Sequence, residues 1–268
     1  MEFWPIGQVP MNLRLSRFPL PVVLAASVLA SASLVSAQEV WPMPKVLPTV
    51  PPGVAQSTFP LPRVEWVTRV AATNAKAEKV KDSVNLIFDG DSITDGWQTG
   101  GQQVWAERYG KLGAFDFGIS GDRTEHLLWR LSSGQVDGFK PKLVAIMIGT
   151  NNLGARQSVE DTIAGVKAVV AEYRKRLPDS VILLQAIFPR GAKPEDPFRD
   201  KIKAVNAEIA KLADGDKVVY IDFGDKFLEP DGSISPKIMA DGLHPGPDGY
   251  KIWADAIQPI IDKYVPAK

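Results

Sequence analysis

SVNLIFDGDSITDG, residues 83–96, holds the pattern that decides the fold. Its first part, residues 83–88, is a short, mainly apolar run, and a polar turn containing Gly90 and Ser92 follows it. A short apolar run that ends in such a turn is typical of a parallel strand buried on both faces. Glycine permits a tight turn, and a serine at the start of a helix lies near free backbone N–H groups. The stretch therefore predicts a strand, a tight turn and a helix, with Ser92 at the turn.

Similar runs and helical patterns alternate along the rest of the chain. Further strands are predicted at 142–148, 181–187 and 217–222, and a weaker one at 113–117. Helices are predicted at 122–131, 158–177, 197–213 and 248–264, from apolar residues three and four apart and from capping residues. The alternation predicts an α/β fold, a three-layer α/β/α structure around a doubly wound sheet of about five parallel strands. Ligands bind such sheets at the carboxyl ends of the strands.

The N-terminal part of the chain predicts export. Arg14 and Arg17 precede a short apolar run at 20–30, and small residues at 35–37 resemble a cleavage site. This order is typical of a secretory signal peptide, here at about 11–37. The apolar run is shorter than the roughly 20 residues that span a bilayer, so a membrane anchor is the less favoured alternative. We therefore expect an exported protein, periplasmic or secreted, with no stable membrane insertion after cleavage.

A proline-rich linker separates this leader from the folded part. Residues 38–62 contain seven prolines, which fix φ and remove hydrogen-bond donors, so the segment is predicted to be extended. It is either a plain spacer or a strap that packs Trp41 or Phe59 onto the domain. The chain thus divides into an N-terminal extension with signal peptide at 1–37, the linker, and one folded domain at 63–268.

The composition excludes several classes of function. Lys+Arg and Asp+Glu both number 31, so a net charge of zero gives no reason to expect a nucleic-acid partner. The chain has no cysteine, which excludes disulfides, a cysteine nucleophile and thiolate zinc sites. It has two histidines, His126 and His244, so a zinc site built from three histidines is impossible. His126 lies at helical spacing beside apolar residues and is interpreted as structural.

Three more polar motifs could carry chemistry. GISGDRT at 118–124 follows a predicted strand, and its glycines would let a backbone N–H approach a substrate closely. GTNN at 149–152 follows another strand, and an asparagine there could supply a fixed donor to a developing oxyanion. Asp241 and His244 lie three residues apart in one loop, so the carboxylate can orient the imidazole. Each motif alone also suits a turn, a helix cap or a rigid loop.

Together the motifs resemble the four blocks of the SGNH, or GDSL-type, hydrolase family, in the family's order. Gly90-Asp91-Ser92-Ile93 resembles the GDS(L) block, and the resemblance covers residues 83–264. Three stretches are similar to the catalytic subunits of platelet-activating-factor acetylhydrolase and their bacterial relatives: FGISGDRTEHLLWRL at 117–131, GTNN at 149–152 and FPRG at 188–191.

Two positions depart from the family's pattern. Asn152 stands where many members have aspartate, and Asp89 stands where the acetylhydrolase subunits have an apolar residue. The second departure makes the transfer of substrate from those subunits uncertain.

The resemblance implies a flavodoxin-like SGNH hydrolase fold and a serine esterase that removes short acyl groups, notably acetyl, through an acyl-enzyme. It implies Ser92 as nucleophile, His244 as base and Asp241 as the carboxylate that orients the base. It further implies an oxyanion hole made by the backbone N–H groups of Ser92 and Gly121 and the side-chain amide of Asn151. No cofactor or metal is required, and activity should rise as His244 loses its proton. The related subunits form dimers, so a homodimer is one expectation.

Three alternatives stay open at this point. A carbohydrate deacetylase would act on acetylated polysaccharide, and a lysophospholipase-like lipid esterase would prefer long acyl chains. Trp97, close after the nucleophile block, could line an acyl pocket or a sugar surface, or belong to the core. The alternative from another class is a non-catalytic binding module on the same fold. A binder has no need of a base three residues from its orienting carboxylate, so the pattern favours catalysis.

Overall fold

The five predicted strands form one parallel sheet in the order β2-β1-β3-β4-β5. The computed structural model describes residues 46–267. The strands are β1 (Leu86–Gly90), β2 (Ala114–Asp116), β3 (Leu143–Met147), β4 (Val181–Gln185) and β5 (Val218–Ile221). Every neighbouring pair of strands is parallel. The α/β class and the doubly wound sheet are therefore confirmed, and the carboxyl ends of all five strands meet at one edge.

Helices cover both faces of this sheet. They are α1 (Val67–Val80), α2 (Ser92–Asp95), α3 (Gln102–Arg108), α4 (Thr124–Ser132), α5 (Thr150–Gly154), α6 (Val159–Arg176), α7 (Phe198–Ile209) and α8 (Pro247–Tyr264). Short 3-10 turns at Gln56–Thr58, Val64–Trp66, Lys81–Ser83, Gly96–Gln98, Ala210–Leu212 and Gly224–Phe227 complete the described secondary structure.

The alternation of side chains along β1 shows how the three layers are built. Ile87 packs into a core shared with α4, α6 and α7, whereas Leu86 and Phe88 pack into a core shared with α3 and α8. Successive side chains of a strand point to opposite faces, so one apolar run supplies both cores. This explains why the strands appear in the sequence as nearly continuous apolar stretches.

Helices α1, α3 and α5 were not predicted, and the bounds of the predicted elements differ by a few residues. Helix α1 was not predicted because its apolar residues are only valines and alanines, of which Val67, Val70 and Ala77 alone are buried. Helix α3 was not predicted because none of its residues is fully buried, so it shows no apolar stripe. Strand β1 begins later than the predicted 83–88 because Lys81–Ser83 forms a 3-10 turn.

The end of the predicted linker packs onto the domain. Ser57 is wholly buried, and its carbonyl accepts a hydrogen bond from Thr124 Oγ1 at 2.8 Å. Gln56 Nε2 donates to Glu125 Oε1 at 2.9 Å, and the N–H of Leu61 donates to the Glu125 carbonyl at 3.0 Å. These contacts make residues 56–61 a strap across the start of α4.

Other expectations fall beyond these residues. The predicted signal peptide and the first part of the linker, with Trp41, lie outside the described residues. In the stretch from 46 to 267, no helix has the length and apolar character needed to cross a membrane.

A buried ionic cluster lies between β1 and α4. The Arg130 side chain is 1% exposed and donates to Asp89, Asp122 and Gln135 at 2.6–3.2 Å. The hydroxyl of Tyr173 donates to the same Asp89 carboxylate. Burial opposes a charge on Arg130, but Asp89 and Asp122 outweigh it and raise the pKa of the guanidinium. Both carboxylate oxygens of Asp89, the residue that departs from the pattern of the acetylhydrolase subunits, therefore have hydrogen-bond partners.

We predict that Asp89→Ala lowers the free energy of unfolding by about 3–5 kcal/mol, since removing one partner of a buried ion pair leaves the other uncompensated. The matched control is Arg108→Ala, which breaks an ion pair to Asp255 whose side chains are 36% and 44% exposed. That change should cost about 0–1 kcal/mol. Urea unfolding of both variants makes the comparison, and equal losses would contradict the role given to the cluster.

Candidate active site

Ser92, His244 and Asp241 form one chain of hydrogen bonds at the carboxyl edge of the sheet. Ser92 is the first residue of α2, directly beyond β1, and His244 and Asp241 lie in the loop before α8. Ser92 Oγ is 2.9 Å from His244 Nε2, and His244 Nδ1 is 2.6 Å from Asp241 Oδ2. The structure thus brings together three residues whose contact spans 152 positions of sequence.

Asp241 fixes the orientation of the imidazole. Its Oδ1 accepts from the backbone N–H groups of Leu243 and His244 at 2.9 and 2.8 Å, while Oδ2 faces His244 Nδ1. Partial burial acts to raise the pKa of Asp241, but these hydrogen bonds outweigh it and lower the pKa to about 2. An ionised Asp241 holds the proton of the neutral ring on Nδ1. The lone pair of Nε2 then faces Ser92 Oγ.

Asp91 holds the start of the nucleophile helix. Its side chain is wholly buried and accepts from the N–H of Ile93 at 3.0 Å, as an N-cap of α2. Burial raises the pKa of Asp91 to about 7, against the opposing effects of the Ile93 N–H, His244 and Arg190. The Asp91 cap therefore fixes the turn that carries Ser92.

Gly121 lies in a tight turn beside this edge. The N–H of Asp122 donates to the Ile119 carbonyl at 3.1 Å, which closes a four-residue turn, and Gly121 has φ +75°. A positive φ at the third residue is the mark of a type II turn. The N–H of Gly121 finds no acceptor among the residues that the structure describes. The donor that the sequence predicts for an oxyanion is therefore free of other protein bonds.

The predicted donor Asn151 is held against the same turn. Its Nδ2 donates to the Asp122 carbonyl at 3.0 Å, so Gly121 and Asn151 are brought together through Asp122. Ser120, the residue before Gly121, lines the same cavity as Ser92. Ser120 thus brings this turn to the cavity, and Asn151 is bonded to the turn through Asp122.

Asn152 has a structural place that the sequence did not indicate. It is wholly buried, and its Nδ2 donates to Thr124, Glu125 and Gln157 at 2.8–3.1 Å. Its Oδ1 accepts from the N–H of Thr124 at 3.1 Å. An aspartate here would lose these donors and face the buried Glu125 carboxylate. The amide is therefore suited to this chain, although many relatives of the family have the acid.

A cavity of about 350 Å³ opens over Ser92. Its lining mixes polar and apolar surface in similar amounts and consists of Arg69, Ser92, Asp95, Gly96, Gln98, Thr99, Gly100, Ser120, His244, Pro245 and Tyr250. Arg69 and Asp95 form an ion pair on its wall, 2.5 Å apart. Arg69 lies on α1, a helix that was not predicted, so no sequence pattern indicated its place at the site.

Two other candidate residues lie in the interior. Trp97 is wholly buried in an aromatic cluster with Phe88, Tyr109 and Trp253, so it lines neither an acyl pocket nor a sugar surface. His126 is buried at the third position of α4, where Nδ1 accepts from the N–H of Arg123 at 3.1 Å. These contacts fit the structural interpretation of His126.

Comparison with known proteins places this chain among GDSL-like acylhydrolases. Residues 88–252, more than half of the chain, match the model of the GDSL-like Lipase/Acylhydrolase family. The chain is 36% identical over 177 residues to platelet-activating factor acetylhydrolase IB subunit alpha1 of Bos taurus, covering 66% of this chain and 74% of the relative. The alpha2 subunit of Rattus norvegicus is also 36% identical, over 170 residues, with 62% and 71% covered.

Solved structures share the fold. A GDSL-like lipase from Bacteroides thetaiotaomicron has a TM-score of 0.57 at 24% identity, covering 73% of this chain and 97% of that one. An acetylxylan esterase from Geobacillus stearothermophilus has a TM-score of 0.53 at 23% identity, covering 71% of this chain and all of the other.

The burial of His126 predicts a loss of stability in acid. Burial first, and the Arg123 charge second, lower the pKa of His126 to about 3. Below a pH of about 6.5 the unfolded chain therefore binds a proton that the folded chain does not, so stability is lost as the pH falls. Gln is a standard capping-box residue at this helix position, so His126→Gln keeps the cap and removes the titration. The variant should lose roughly 2 kcal/mol less unfolding free energy than the parent between pH 7 and pH 5.

Urea unfolding of both proteins at the two pH values measures this difference. An identical acid loss in the variant and the parent would show that His126 is not held neutral by burial.

Proposed function

The chain belongs to the GDSL-like lipase/acylhydrolase family, and on that premise we propose that it is a serine esterase acting on short-chain acyl esters, acetyl esters above all. The observation that carries the proposal is the hydrogen-bond chain from Asp241 through His244 to Ser92, which ends at the cavity. An imidazole held between a carboxylate and a serine hydroxyl is the arrangement that activates serine as a nucleophile.

In the proposed reaction His244 Nε2 takes the proton of Ser92 as Oγ bonds to the ester carbonyl carbon. The carbonyl electron pair moves to oxygen, and the N–H groups of Ser92 and Gly121 and the Asn151 amide stabilise the oxyanion. His244 then gives its proton to the leaving alcohol as the C–O bond breaks. Water, deprotonated by the same imidazole, attacks the acyl-enzyme and releases the acid.

Asp241 supports the charged intermediate of this cycle. Because its pKa is lowered to about 2, the carboxylate stays ionised throughout the range in which imidazole titrates. It therefore stabilises the imidazolium that forms at His244 in each half-reaction, and it keeps the ring in one orientation.

The cavity supports a short acyl group. Its volume of about 350 Å³ lies at the small end of the usual range for ligand sites, so it leaves little room for a long acyl chain beside the alcohol part of the ester. The relatives that share 36% identity are named acetylhydrolases, which agrees with an acetyl preference. Both points weigh against the lipid-esterase alternative.

A second candidate, deacetylation of a carbohydrate, is favoured by the same lining. Arg69, Gln98, Thr99 and Ser120 provide donors and acceptors that suit the hydroxyl groups of a sugar. We also propose that the protein is exported, because the sequence around residues 11–37 has the pattern of a signal peptide. An exported esterase would meet acetylated polysaccharide outside the cytoplasm.

Hydrolysis of p-nitrophenyl esters from C2 to C12 tests the proposal. We predict activity on C2–C4 that declines with chain length, because a longer chain exceeds the space in the small cavity. Ser92→Ala should lower kcat by about 10⁴-fold or more while the protein stays folded, since it removes the nucleophile. Acetylated xylan, assayed beside p-nitrophenyl acetate, distinguishes a sugar ester from a simple one.

Full activity in a folded Ser92→Ala variant would refute the nucleophile. A maximum at C8–C12 would instead support the lipid esterase. Failure to hydrolyse any ester, including acetylated xylan, would favour the binding module.

A further inference from the structure

We propose that Arg63 is a positioning residue that holds the oxyanion peptide in its working orientation, an inference that rests on the proposed esterase function. Arg63 Nη1 donates to the carbonyl oxygen of Ser120 at 2.8 Å. That carbonyl belongs to the same peptide unit as the N–H of Gly121, the predicted oxyanion donor. Arg63 therefore binds the carbonyl end of the peptide whose N–H end is to bind the oxyanion.

The planarity of the peptide bond links the two ends. In a trans peptide the C=O and the N–H point in opposite directions from one rigid plane. Fixing the direction of the Ser120 carbonyl consequently fixes the direction of the Gly121 N–H. A cationic donor on the carbonyl also polarises the peptide, which strengthens the N–H as a donor to an oxyanion.

The turn itself leaves this orientation open to change. In the turn from Ile119 to Asp122, the Ser120–Gly121 peptide is the central one, and Gly121 has φ +75°. Type I and type II turns differ by a flip of that central peptide, and glycine at the third position tolerates either form. A flip would turn the Gly121 N–H away from the site, and the bond from Arg63 acts against it.

Arg63 is itself held in place. Its Nε donates to Glu65 Oε1 at 2.9 Å, its guanidinium lies 5.6 Å from the centre of the Trp66 ring, and its side chain is only 25% exposed. It also lies directly against Gly121, because a Cβ placed on that glycine would stand 2.2 Å from Arg63 Nη1. A side chain at position 121 would therefore displace the arginine as well as strain the turn.

A second arginine of the same segment secures the side chain of Ser120. Ser120 Oγ donates to Asp95 Oδ2 at 2.6 Å, and Arg69 pairs with the other oxygen of Asp95. Both arginines precede residues 88–252, the part that matches the family model. The N-terminal segment of this chain thus contributes to an active site whose other predicted residues lie within the family region.

Substitution of Arg63 tests the proposal. Arg63→Met and Arg63→Gln both remove the guanidinium but keep much of the aliphatic side chain that packs near Trp66. The expectations below apply to either variant, so one that folds is enough for the test. Asn151→Ala is the reference that removes a predicted donor outright, and Lys76→Ala is the control for the loss of an exposed charge on α1. For each variant we would measure kcat and KM for p-nitrophenyl acetate, the Tm, and the inhibition constant of phenylboronic acid.

We expect kcat to fall about 10–100-fold in the Arg63 variants, less than the roughly 10²–10³-fold loss for Asn151→Ala, because the donor remains but is misdirected. KM should change little. Affinity for phenylboronic acid, whose tetrahedral serine adduct mimics the oxyanion, should fall in parallel with kcat/KM. Lys76→Ala should leave all four quantities unchanged.

Folded Arg63 variants with parental kcat and boronate affinity would overturn the proposal, as would a loss confined to KM. If the parent hydrolyses the ester and Ser92→Ala abolishes that activity, the esterase function stands even where one of these results overturns the role of Arg63. A parent protein that hydrolyses no ester would reject the esterase function and, with it, the role of Arg63.

Discussion

The buried guanidinium of Arg130 is the constraint on which the site depends. It binds Asp89, near the end of β1, the strand that precedes Ser92, and Asp122, the last residue of the turn that contains Gly121. The Asp122 carbonyl in turn receives the Asn151 amide. One cation therefore joins β1 to the turn that contains Gly121 and, through the Asp122 carbonyl, to Asn151 at the start of α5. Buried charges are stable only when they are paired, so Arg130, Asp89 and Asp122 depend on one another. Their pairing fixes the relative positions of the segments that follow β1, β2 and β3.

The sheet explains why a few short motifs were informative before any coordinates. Its strands are buried on both faces, so each is visible as an apolar run, and parallel order brings the polar turns after them to one edge. Asp241 and His244 lie three residues apart in one loop, which made their pairing predictable. Their contact with Ser92 followed from the family's block order and from the position of each block after a strand.

What the sequence did not indicate has a common physical cause. Helices α1 and α3 bury few side chains, none of them large, so their apolar pattern is inconspicuous in the sequence. Arg63 lies 57 residues from Ser120 in a polar, proline-rich stretch where an arginine is unremarkable, so its contact is set only by tertiary packing. Asp89 departs from the apolar residue of the acetylhydrolase subunits, which made the transfer of their substrate uncertain. The structure explains the aspartate itself by its ion pair with Arg130.

The central claim, that Asp241 and His244 activate Ser92, is tested most directly by labelling with a serine-directed fluorophosphonate followed by mass spectrometry. We expect one adduct per chain, located on Ser92, forming much more slowly in His244→Gln because the hydroxyl then lacks its base. An adduct on another serine, or equal rates of labelling in the parent and the His244→Gln variant, would contradict the account.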